Sequence, residues 1–452
     1  MTQANDNTNK TNLVQGNPLP YSILDNTHPN AVYPEQKLEI RGGGFGSDAA
    51  AHPSNPKQFY TLADRGPNSD FEGIAGAGKQ FLVPDYTPRI GLFEVQEDGQ
   101  IIKIKEILLK DPEGNPITGI PNPKAFGGTN EVPYDVAGQP MTVNPALPYD
   151  EVTNPILADR YGLDPEGLAA LNDGTFWVSD EYGPHLVHYD AEGIEIERIN
   201  PFAHDERNNV MVTGKPILLP SELAKRRANK SMEGLTITPD QTTLVGIMES
   251  ALDNPDKSVR QSALTRIVTV NLKTGQIGQY LYRRNHAKYV NSGITAINAH
   301  EFYVIEHDRK FPLSDAKVEK HVYKIDITDA TDIETLADSE TLKQSADLGL
   351  MVAGQTLEQF TAEDEHAGWE ALSKLGIDPV KKTLAVDVLV AVKGYPHNKL
   401  EGMWLRQDGT LGLLNDDDFA MTDSDAGVEH KYLDSDKTII DTTHLYIVKP
   451  SV

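Results

Sequence analysis

An internal repeat is the feature of this sequence that most constrains its fold. Three segments carry Glu-Gly and an apolar residue, then a turn, then a short apolar run that ends in acidic residues. Their glutamates are Glu166, Glu233 and Glu401, and the acidic ends of the runs are Asp180 with Glu181, Glu249, and Asp416 with Asp417. Two further copies lack the first glutamate: one runs from Asp48 to Asp64, and the other ends at Glu306 and Asp308. Five such units indicate a repeat architecture.

Each unit continues with a third apolar run, and four of the five have a fourth. The third runs are residues 89–95, 186–190, 266–272, 321–327 and 444–448, and the fourth runs are 100–109, 194–199, 276–283 and 383–392. Units of four short antiparallel strands are typical of propeller blades. The sequence therefore predicts an all-β fold, a single β-propeller of four-stranded blades over residues 36–452, with five modules counted and room for a sixth. We expect residues 37–41 to supply the fourth strand that the last module lacks.

Three regions interrupt the repeat. Residues 1–35 are polar and predict a disordered lead-in. Residues 111–163 form a Pro-rich insert without a strand pattern, and residues 329–382 form a second insert with helix-like pieces at 341–359 and 369–375. Inserted loops of this length are uncommon unless they are functional.

Charge and composition restrict the partners. The chain has 41 Lys and Arg against 67 Asp and Glu, a net charge of −26, which argues against nucleic acid or an anionic membrane as a partner. Cysteine is absent, which excludes disulfides, thiolate catalysis and Cys-ligated metals. No apolar run reaches the length of a membrane span, and the polar N-terminus does not resemble a signal peptide. An acidic excess suits a protein that binds hard cations, and also one that is kept soluble by self-repulsion.

The repeat itself predicts a site. The start of the first strand and the end of the second lie at one face of a propeller, so the repeated acidic residues should converge at one mouth of the channel. The predicted rim comprises Glu166, Glu233, Glu401, Asp48, Asp180, Glu181, Glu249, Glu306, Asp308, Asp416 and Asp417, of which Glu166, Glu233, Glu401, Asp180, Glu249 and Asp416 are the predicted metal ligands. Oxygen ligands of this kind favour Ca²⁺, with Mg²⁺ or Mn²⁺ as alternatives. For any single glutamate, acceptance of backbone N–H groups from a neighbouring blade is an equal alternative.

Cationic side chains fall at the same predicted mouth. Arg65 follows Asp64, Arg309 follows His307-Asp308, and Lys230 and Lys399 precede two of the repeated glutamates. Carboxylate-bound cations beside Arg and Lys are what a phosphate ester requires. The predicted substrate-binding residues are Lys230, Lys399, His307 and His185. Salt bridges within an acidic rim are the alternative explanation for these cations.

Five segments together resemble a known family. They are Leu62-Ala63-Asp64-Arg65-Gly66-Pro67-Asn68, Asp164-Pro165-Glu166-Gly167-Leu168, Phe176-Trp177-Val178-Ser179-Asp180-Glu181-Tyr182-Gly183-Pro184, Asn229-Lys230-Ser231-Met232-Glu233-Gly234-Leu235 and Tyr303-Val304-Ile305-Glu306-His307-Asp308-Arg309. This series is similar to the phytase-like family, described as esterase-like activity of phytase. The resemblance implies a bacterial propeller, often exported to the periplasm or secreted, with phosphoesterase or esterase character. The sequence departs from the family pattern at His307 and in the insert at 329–382.

The leading functional hypothesis is a Ca²⁺-dependent hydrolase of phosphate esters, phytase-like, at the acidic mouth. Its predicted catalytic residues are Glu181, Glu306, Arg65, Arg309 and Asp64, with either glutamate orienting a water and the arginines holding the phosphate. One alternative is an exported, non-catalytic ligand-binding propeller. Another is a lactonase or carboxylesterase that uses the same metal. In each case the expected partner is a small molecule, a phosphate ester or another anionic ester, and neither nucleic acid nor a membrane.

Overall fold

Five four-stranded antiparallel sheets form the body of the protein. The computed structural model describes residues 16–30, 37–313, 317–424 and 427–452. Blade 1 contains Asp48–Ala51, Gln58–Ala63, Arg89–Val95 and Ile101–Leu108; blade 2 contains Pro165–Ala170, Phe176–Asp180, Leu186–Tyr189 and Glu195–Ile199; blade 3 contains Met232–Ile237, Thr243–Met248, Leu264–Asn271 and Ile277–Arg283. Blade 4 contains Val290–Ala296, Glu301–His307, Lys320–Asp326 and Lys381–Asp387; blade 5 contains Met403–Leu405, Leu411–Leu414, His444–Val448 and Asn17–Pro18.

Contacts near the inner strands join the five blades into a closed ring. Blades 1 and 2 are joined by the hydrogen bond from Leu168 N to Asp48 Oδ2 at 2.8 Å, and blades 2 and 3 by the one from Ser179 Oγ to Met232 O at 2.9 Å. Asn291 N donates to Glu249 O at 3.0 Å between blades 3 and 4, and Ser292 Oγ donates to Leu400 O at 2.8 Å between blades 4 and 5. Gly46 packs against Asn415 and Asp416 between blades 5 and 1. Apolar side chains fill the spaces between the blades, as Trp177, Leu235 and Leu244 do between blades 2 and 3. The predicted all-β propeller is confirmed with five blades, and the described residues contain no sixth.

The ring closes with a different segment from the one we predicted. Asn17–Pro18 pairs with His444 and Leu445 and completes blade 5. Ile40–Gly42 instead pairs with Ser22–Asp25 in a separate two-stranded sheet, so the assignment of residues 37–41 to blade 5 is wrong. A polar segment is able to close the blade because pairing along an edge uses backbone groups. Residues 1–15 and 31–35 of the predicted lead-in lie outside the described residues, whereas 16–30 include the paired strands Asn17–Pro18 and Ser22–Asp25.

Two hairpins stand between strands two and three of their blades. In blade 1, Asn68–Gly73 pairs with Gly76–Phe81, and Val132–Tyr134 from the first insert adds a parallel strand. In blade 5, Met421–Ser424 pairs with Gly427–His430. The hairpins meet where the Asp70 backbone N–H donates to Asp423 Oδ1 at 3.1 Å.

The insert at 329–382 packs on the outer part of blade 3. It contains a sheet of Leu342–Ser345, Gly349–Val352 and Gln355–Thr356, followed by helices Leu357–Ala362 and Glu365–Lys374. Trp369 and Leu372 pack with Leu264 and Leu281 of blade 3. The helix-like piece expected at 341–359 is therefore mostly sheet, because positive φ angles at Gly349 and Gly354 form turns there. The helical piece expected at 369–375 is confirmed. The remaining short elements are Met211–Val212, Lys215–Pro216, Lys124–Phe126, Ser221–Lys225, Lys257–Val259, Ile333–Thr335, Val388–Ala391 and Asp418–Ala420.

Candidate functional site

A β-bulge at the start of the inner strand places each of two repeated glutamates. In blade 2 the pairing passes from Pro165 directly to Gly167, which leaves Glu166 without a cross-strand partner. Blade 3 repeats this irregularity around Glu233. The extra residue of a bulge turns its side chain out of the regular alternation of a strand. The bulges thus explain how two glutamates in similar sequence positions reach the same cavity.

The glycine of each motif allows the inner strands to approach closely. A Cβ atom on Gly234 would lie 2.3 Å from the Ser292 carbonyl oxygen, and one on Gly167 would lie 2.6 Å from the Leu235 backbone nitrogen. No side chain fits at these distances unless the backbone moves. Glu-Gly is therefore one unit, in which the glutamate faces the channel mouth and the glycine admits the next blade.

Two groups of buried carboxylates border a cavity of about 280 Å³ at this mouth. Asp64, Asp164 and Glu166 form one group, and Glu181, Glu233 and Glu249 form the other, with ligand oxygens within 4.8 Å of one another in each. Asp64, Glu166, Glu181 and Glu233 line the cavity itself. The predicted convergence of acidic residues from several blades is thus present for these side chains.

Cations border the same cavity. Arg65 lies 3.1 Å from Asp164 Oδ2, and the guanidinium of Arg309 contacts Glu249. Lys230 Nζ also reaches Glu249, at 2.8 Å. Arg65 and Arg309 are positioned on the cavity wall, where an anionic group of a ligand would be able to meet them.

Blade 5 contributes its own charge network. Lys399 Nζ lies 2.6 Å from Asp416 and 3.5 Å from Glu401. It also lies 2.7 Å from Asp418, which Lys431 contacts from the other side at 2.6 Å. Burial alone would raise the pKa of Asp418, but Lys399 and Lys431 together hold it well below its usual range. Asp418 is therefore ionised, and Lys399 and Lys431 offset part of the negative charge of blade 5.

Three glutamates of blades 2 and 3 have no cationic partner of this kind. Glu166, Glu181 and Glu233 make no ion pair within 4 Å among the described residues, and Glu233 Oε2 is buried without a hydrogen-bond partner. Burial raises the pKa of all three well above the usual range, and the charges of neighbouring carboxylates raise it further. Glu401 is less perturbed: burial raises its pKa to about 7, although Lys399 opposes the shift. A bound cation would favour the ionised forms and satisfy the orphaned oxygen.

Several predicted residues lie elsewhere. Glu306 accepts hydrogen bonds at 2.7 Å from the Tyr282 hydroxyl, the Asn285 backbone N–H and Lys382 Nζ, so its oxygens are engaged away from the cavity. His185 Nε2 lies 2.7 Å from the Phe126 carbonyl oxygen, beneath the first insert. These contacts assign structural positions to residues that we had predicted to be catalytic or substrate-binding.

Three predicted aspartates hold backbone groups in place. Asp180 accepts the backbone N–H groups of Asp164 and Gly183. Asp48 accepts those of Ala49 and Leu168. Asp417 accepts those of Gly44, Phe419 and Thr443. Acceptance of backbone N–H groups was the structural alternative for the repeated acidic residues. It describes Asp48, Asp180 and Asp417, and not Glu166 or Glu233.

His307 is fully buried at the end of the second strand of blade 4. Burial lowers its pKa well below the usual range, and the charge of Lys320 lowers it further. A neutral imidazole is a poor phosphate ligand compared with Arg or Lys. Asp308, also predicted at the rim, instead holds the buried Lys320 ammonium at 2.5 Å.

Sequence reasoning missed Asp164, Asp418, Asn229 and Glu131. Asp164 stands two residues before Glu166 in a segment already singled out, so its acidic side chain was an available signal. Asn229 Nδ2 donates to Glu131 Oε1 at 2.6 Å, and Glu131 lies 3.7 Å from Arg65. Glu131 comes from the first insert, which therefore contacts two residues of the cavity wall, Arg65 and Asn229, and no repeat pattern marks it.

Comparison with known sequences identifies the family. The phytase-like family, described as esterase-like activity of phytase, matches residues 40–419, which include all five inner strands. The chain belongs to the phytase-like family. The resemblance inferred from the sequence segments is thereby confirmed, and the Glu-Gly bulges and carboxylate groups described above are features of a phytase-like propeller.

Individual relatives add little about activity. The chain is 30% identical over 286 residues to an "Uncharacterized secreted protein" of Arthroderma benhamiae, with 57% of this chain and 53% of the relative covered. The chain thus spans about half the length of that curated relative. No helix among the described residues has the length and apolar character needed to cross a membrane.

Solved structures match over most of the chain at low similarity. The periplasmic gluconolactonase of Pseudomonas aeruginosa is 10% identical, with a TM-score of 0.30, and 92% of this chain and 90% of that chain covered. An engineered glycoside hydrolase is 9% identical, with a TM-score of 0.34, and 90% and 54% covered. Scores this low add nothing to what the sheet topology shows.

Proposed function

We propose that this phytase-like propeller is a metal-dependent hydrolase of phosphate esters that acts at the acidic cavity. One observation carries the proposal: two buried carboxylate groups border a single cavity whose wall also holds Arg65 and Arg309. Carboxylates suit a hard cation, and guanidinium groups suit phosphate oxygens. The family description, which refers to phytase and to esterase-like activity, supports this class of chemistry.

Ca²⁺ is the proposed ion. Glu166 and Glu233 are the proposed central ligands, with Asp64, Asp164 and Glu249 from the two groups beside them. Ca²⁺ accepts six to eight oxygen ligands in flexible geometry, which suits carboxylates from loops and strand ends of different blades. When bound, the ion would supply Lewis-acid polarisation of a phosphoryl oxygen and a lower pKa for a water.

The protein's own residues supply the remaining functions. Arg65 and Arg309 donate hydrogen bonds to phosphate oxygens and fix the ester in the cavity. Glu181, which lines the cavity and makes no ion pair within 4 Å among the described residues, orients the attacking water and accepts its proton. Glu306 is no longer a candidate for this role, because Tyr282, Asn285 and Lys382 occupy its oxygens.

The proposed substrate is a small anionic ester, and the proposed location is outside the cytoplasm. An acidic protein surface disfavours nucleic acid, whereas a cavity of about 280 Å³ accommodates a small molecule or part of one. The secreted description of the Arthroderma benhamiae relative supports export.

The test is hydrolysis of 4-nitrophenyl phosphate and 4-nitrophenyl acetate with Ca²⁺ and with EDTA. We expect hydrolysis of the phosphate ester that requires Ca²⁺ and is lost in Glu233→Gln. Glu97→Gln is the matched control, since the Glu97 side chain is 93% exposed and belongs to neither carboxylate group. Ca²⁺-dependent hydrolysis of the acetate alone would favour the carboxylesterase alternative. Hydrolysis of neither ester, despite Ca²⁺ binding, would favour a non-catalytic binding propeller.

A further inference from the structure

Three consecutive residues at the mouth of the channel have a left-handed backbone. Asp418, Phe419 and Ala420 have φ angles of 52°, 55° and 61°. This conformation is unfavourable for residues that carry a Cβ, and proteins normally use it at single residues and not in runs. Such strain persists only where the surroundings impose it, and it is concentrated at functional sites. The strained turn follows the second strand of blade 5 and brings both Asp418 and Phe419 to the wall of the acidic cavity.

Hydrogen bonds to Asp417 hold the strained turn. The Phe419 backbone N–H donates to Asp417 Oδ1 at 3.1 Å, and the Ala420 backbone N–H donates to the Asp417 carbonyl oxygen at 2.8 Å. The same Oδ1 atom accepts the backbone N–H of Gly44 at 3.2 Å, in the segment that leads into blade 1. Asp417 therefore ties the turn in blade 5 to blade 1, across the junction where the ring closes.

The Phe419 ring is the group that this turn positions. It is 1% exposed, and a Cβ atom on Gly44 would lie 2.6 Å from its Cε2 atom. It meets the Tyr86 ring edge to face, with ring centroids 5.2 Å apart and an interplanar angle of 83°. A Cβ atom on Gly66 would in turn lie 2.6 Å from Tyr86 Cδ1. The two rings, which we call the aromatic pair, thus form a continuous contact from Gly44 to Gly66.

Gly66 ends the turn that carries Asp64 and Arg65. Neighbouring side chains on a regular strand point to opposite faces, yet Asp64 and Arg65 both line the acidic cavity. The chain leaves the strand after Ala63, and Gly66 has a φ of 98° and donates its N–H to Asp64 Oδ1 at 2.8 Å. Because the Tyr86 ring packs directly on Gly66, it restricts where this turn and the Arg65 guanidinium are able to lie.

Resting on the role of Arg65 in the proposed function, we propose that Tyr86 and Phe419 are positioning residues for substrate binding. The aromatic pair holds the turn of residues 64–66 against blade 5, so that the Arg65 guanidinium stays where it meets the phosphoryl oxygens. Tyr86 lies outside the cavity wall, so its influence on a ligand passes through other residues. The Tyr86 hydroxyl is buried without a hydrogen-bond partner among the described residues, so the ring alone makes these contacts.

The test is a double-mutant cycle that does not depend on hydrolysis. Phenylphosphonate, an analogue of a phosphate ester without a hydrolysable P–O–C bond, is titrated calorimetrically into the Ca²⁺-loaded protein. We expect Tyr86→Leu to weaken its affinity about tenfold, the effect of losing one charge-assisted contact. In an Arg65→Gln background, Tyr86→Leu should cause no further loss, because the contact that it supports is already absent. Tyr86→Phe keeps the ring and should recover the affinity that Tyr86→Leu loses.

Phe93→Leu is the matched control. Phe93 is fully buried in the same apolar cluster as the aromatic pair. It meets Phe45 edge to face, with ring centroids 5.2 Å apart, but it lies outside the cavity wall. Phe93→Leu should lower Tm about as much as Tyr86→Leu without weakening phenylphosphonate binding. Phe419→Leu removes the same ring contact and takes the place of Tyr86→Leu in the cycle if the latter does not fold.

Equal affinity in wild type and Tyr86→Leu, or a loss that recurs in full in the Arg65→Gln background, overturns the positioning role. An equal loss in Phe93→Leu also overturns it, because it would show a general effect of core packing. The same conclusion follows if the wild type does not bind phenylphosphonate. A wild type that binds it with the expected coupling to Arg65, but hydrolyses neither nitrophenyl ester, refutes the proposed function and leaves the positioning role intact.

Discussion

Lys399 Nζ lies 2.6 Å from Asp416 Oδ2 in blade 5, at the mouth of the channel. Lys399 precedes the inner strand of that blade, and Asp416 follows its second strand, so one ion pair joins the two strand ends that the repeat was predicted to bring together. Blade 3 repeats this pair, with Lys230 Nζ 2.8 Å from Glu249, whereas Glu166 and Glu181 of blade 2 have no lysine partner within 4 Å among the described residues. Of these three blades, blade 2 is therefore the one whose acidic strand end has no paired lysine in the described structure.

The first prediction concerns Ca²⁺ and thermal stability. A cation that binds only the folded state adds about 2.7 kcal/mol to the free energy of unfolding at a hundredfold excess over its Kd. Ca²⁺ should therefore raise Tm, and EDTA should lower it, in a differential scanning measurement. Glu233→Gln should reduce the Ca²⁺ shift, whereas Glu97→Gln should keep it. A Tm that responds to neither Ca²⁺, Mg²⁺ nor EDTA would contradict a cation site at the mouth.

The second prediction separates two glutamates with similar sequence surroundings. Glu181→Gln should lower kcat for a phosphate ester by at least about 100-fold, the usual contribution of a general base, with little change in Tm. Glu306→Gln should lower Tm, because it weakens the interaction with the Lys382 ammonium at 2.7 Å, and kcat should change much less. Measured kcat and Tm for both variants decide this, and a larger loss of kcat in Glu306→Gln would reverse the assignment.

The third prediction is the pH dependence of stability in EDTA. Burial and neighbouring charge raise the pKa of Glu166, Glu181 and Glu233, and burial raises that of Glu401 to about 7. The folded protein then binds more protons than the unfolded chain, so these groups stabilise it most below about pH 4.5 and lose that contribution as the pH rises through their raised pKa values, about 7 for Glu401. Urea unfolding in EDTA should show the contribution of this site falling between pH 5 and 8, and saturating Ca²⁺ should flatten the fall. A stability that rises equally with and without Ca²⁺ over this range would contradict the raised pKa values.

The fourth prediction concerns the glycine of the repeat. Gly234→Ala should reduce the free energy of unfolding by about 1–3 kcal/mol, because its Cβ would lie 2.3 Å from the Ser292 carbonyl oxygen of the next blade. Gly43→Ala is the matched control, since its Cβ would meet only side-chain atoms at 3.5 Å or more. Denaturant titration of both variants provides the comparison, and equal stability would show that the blades can separate at little cost.

The sequence was sufficient to predict the blades and the convergence of Glu166, Glu181 and Glu233, because strand alternation and repeated spacing are local signals. Glu306 could not be separated from them, since its partners Tyr282 and Lys382 come from the outer strands of blades 3 and 4, and Lys382 follows a long insert. Asn17–Pro18 also escaped prediction, because edge pairing through backbone groups leaves no pattern of apolar side chains. The roles of the candidate residues stay predictions until the variants are measured.

The pairing of Asn17–Pro18 with His444 and Leu445 has a consequence for biosynthesis. A ribosome releases the first of these strands more than four hundred residues before its partner, so Asn17–Pro18 has no strand to pair with in blade 5 until His444 and Leu445 have been synthesised. Glu401, Asp416 and Lys399 belong to the blade that this late pairing finishes. The ring therefore closes only after His444 and Leu445 have been synthesised, long after Glu166 and Glu233.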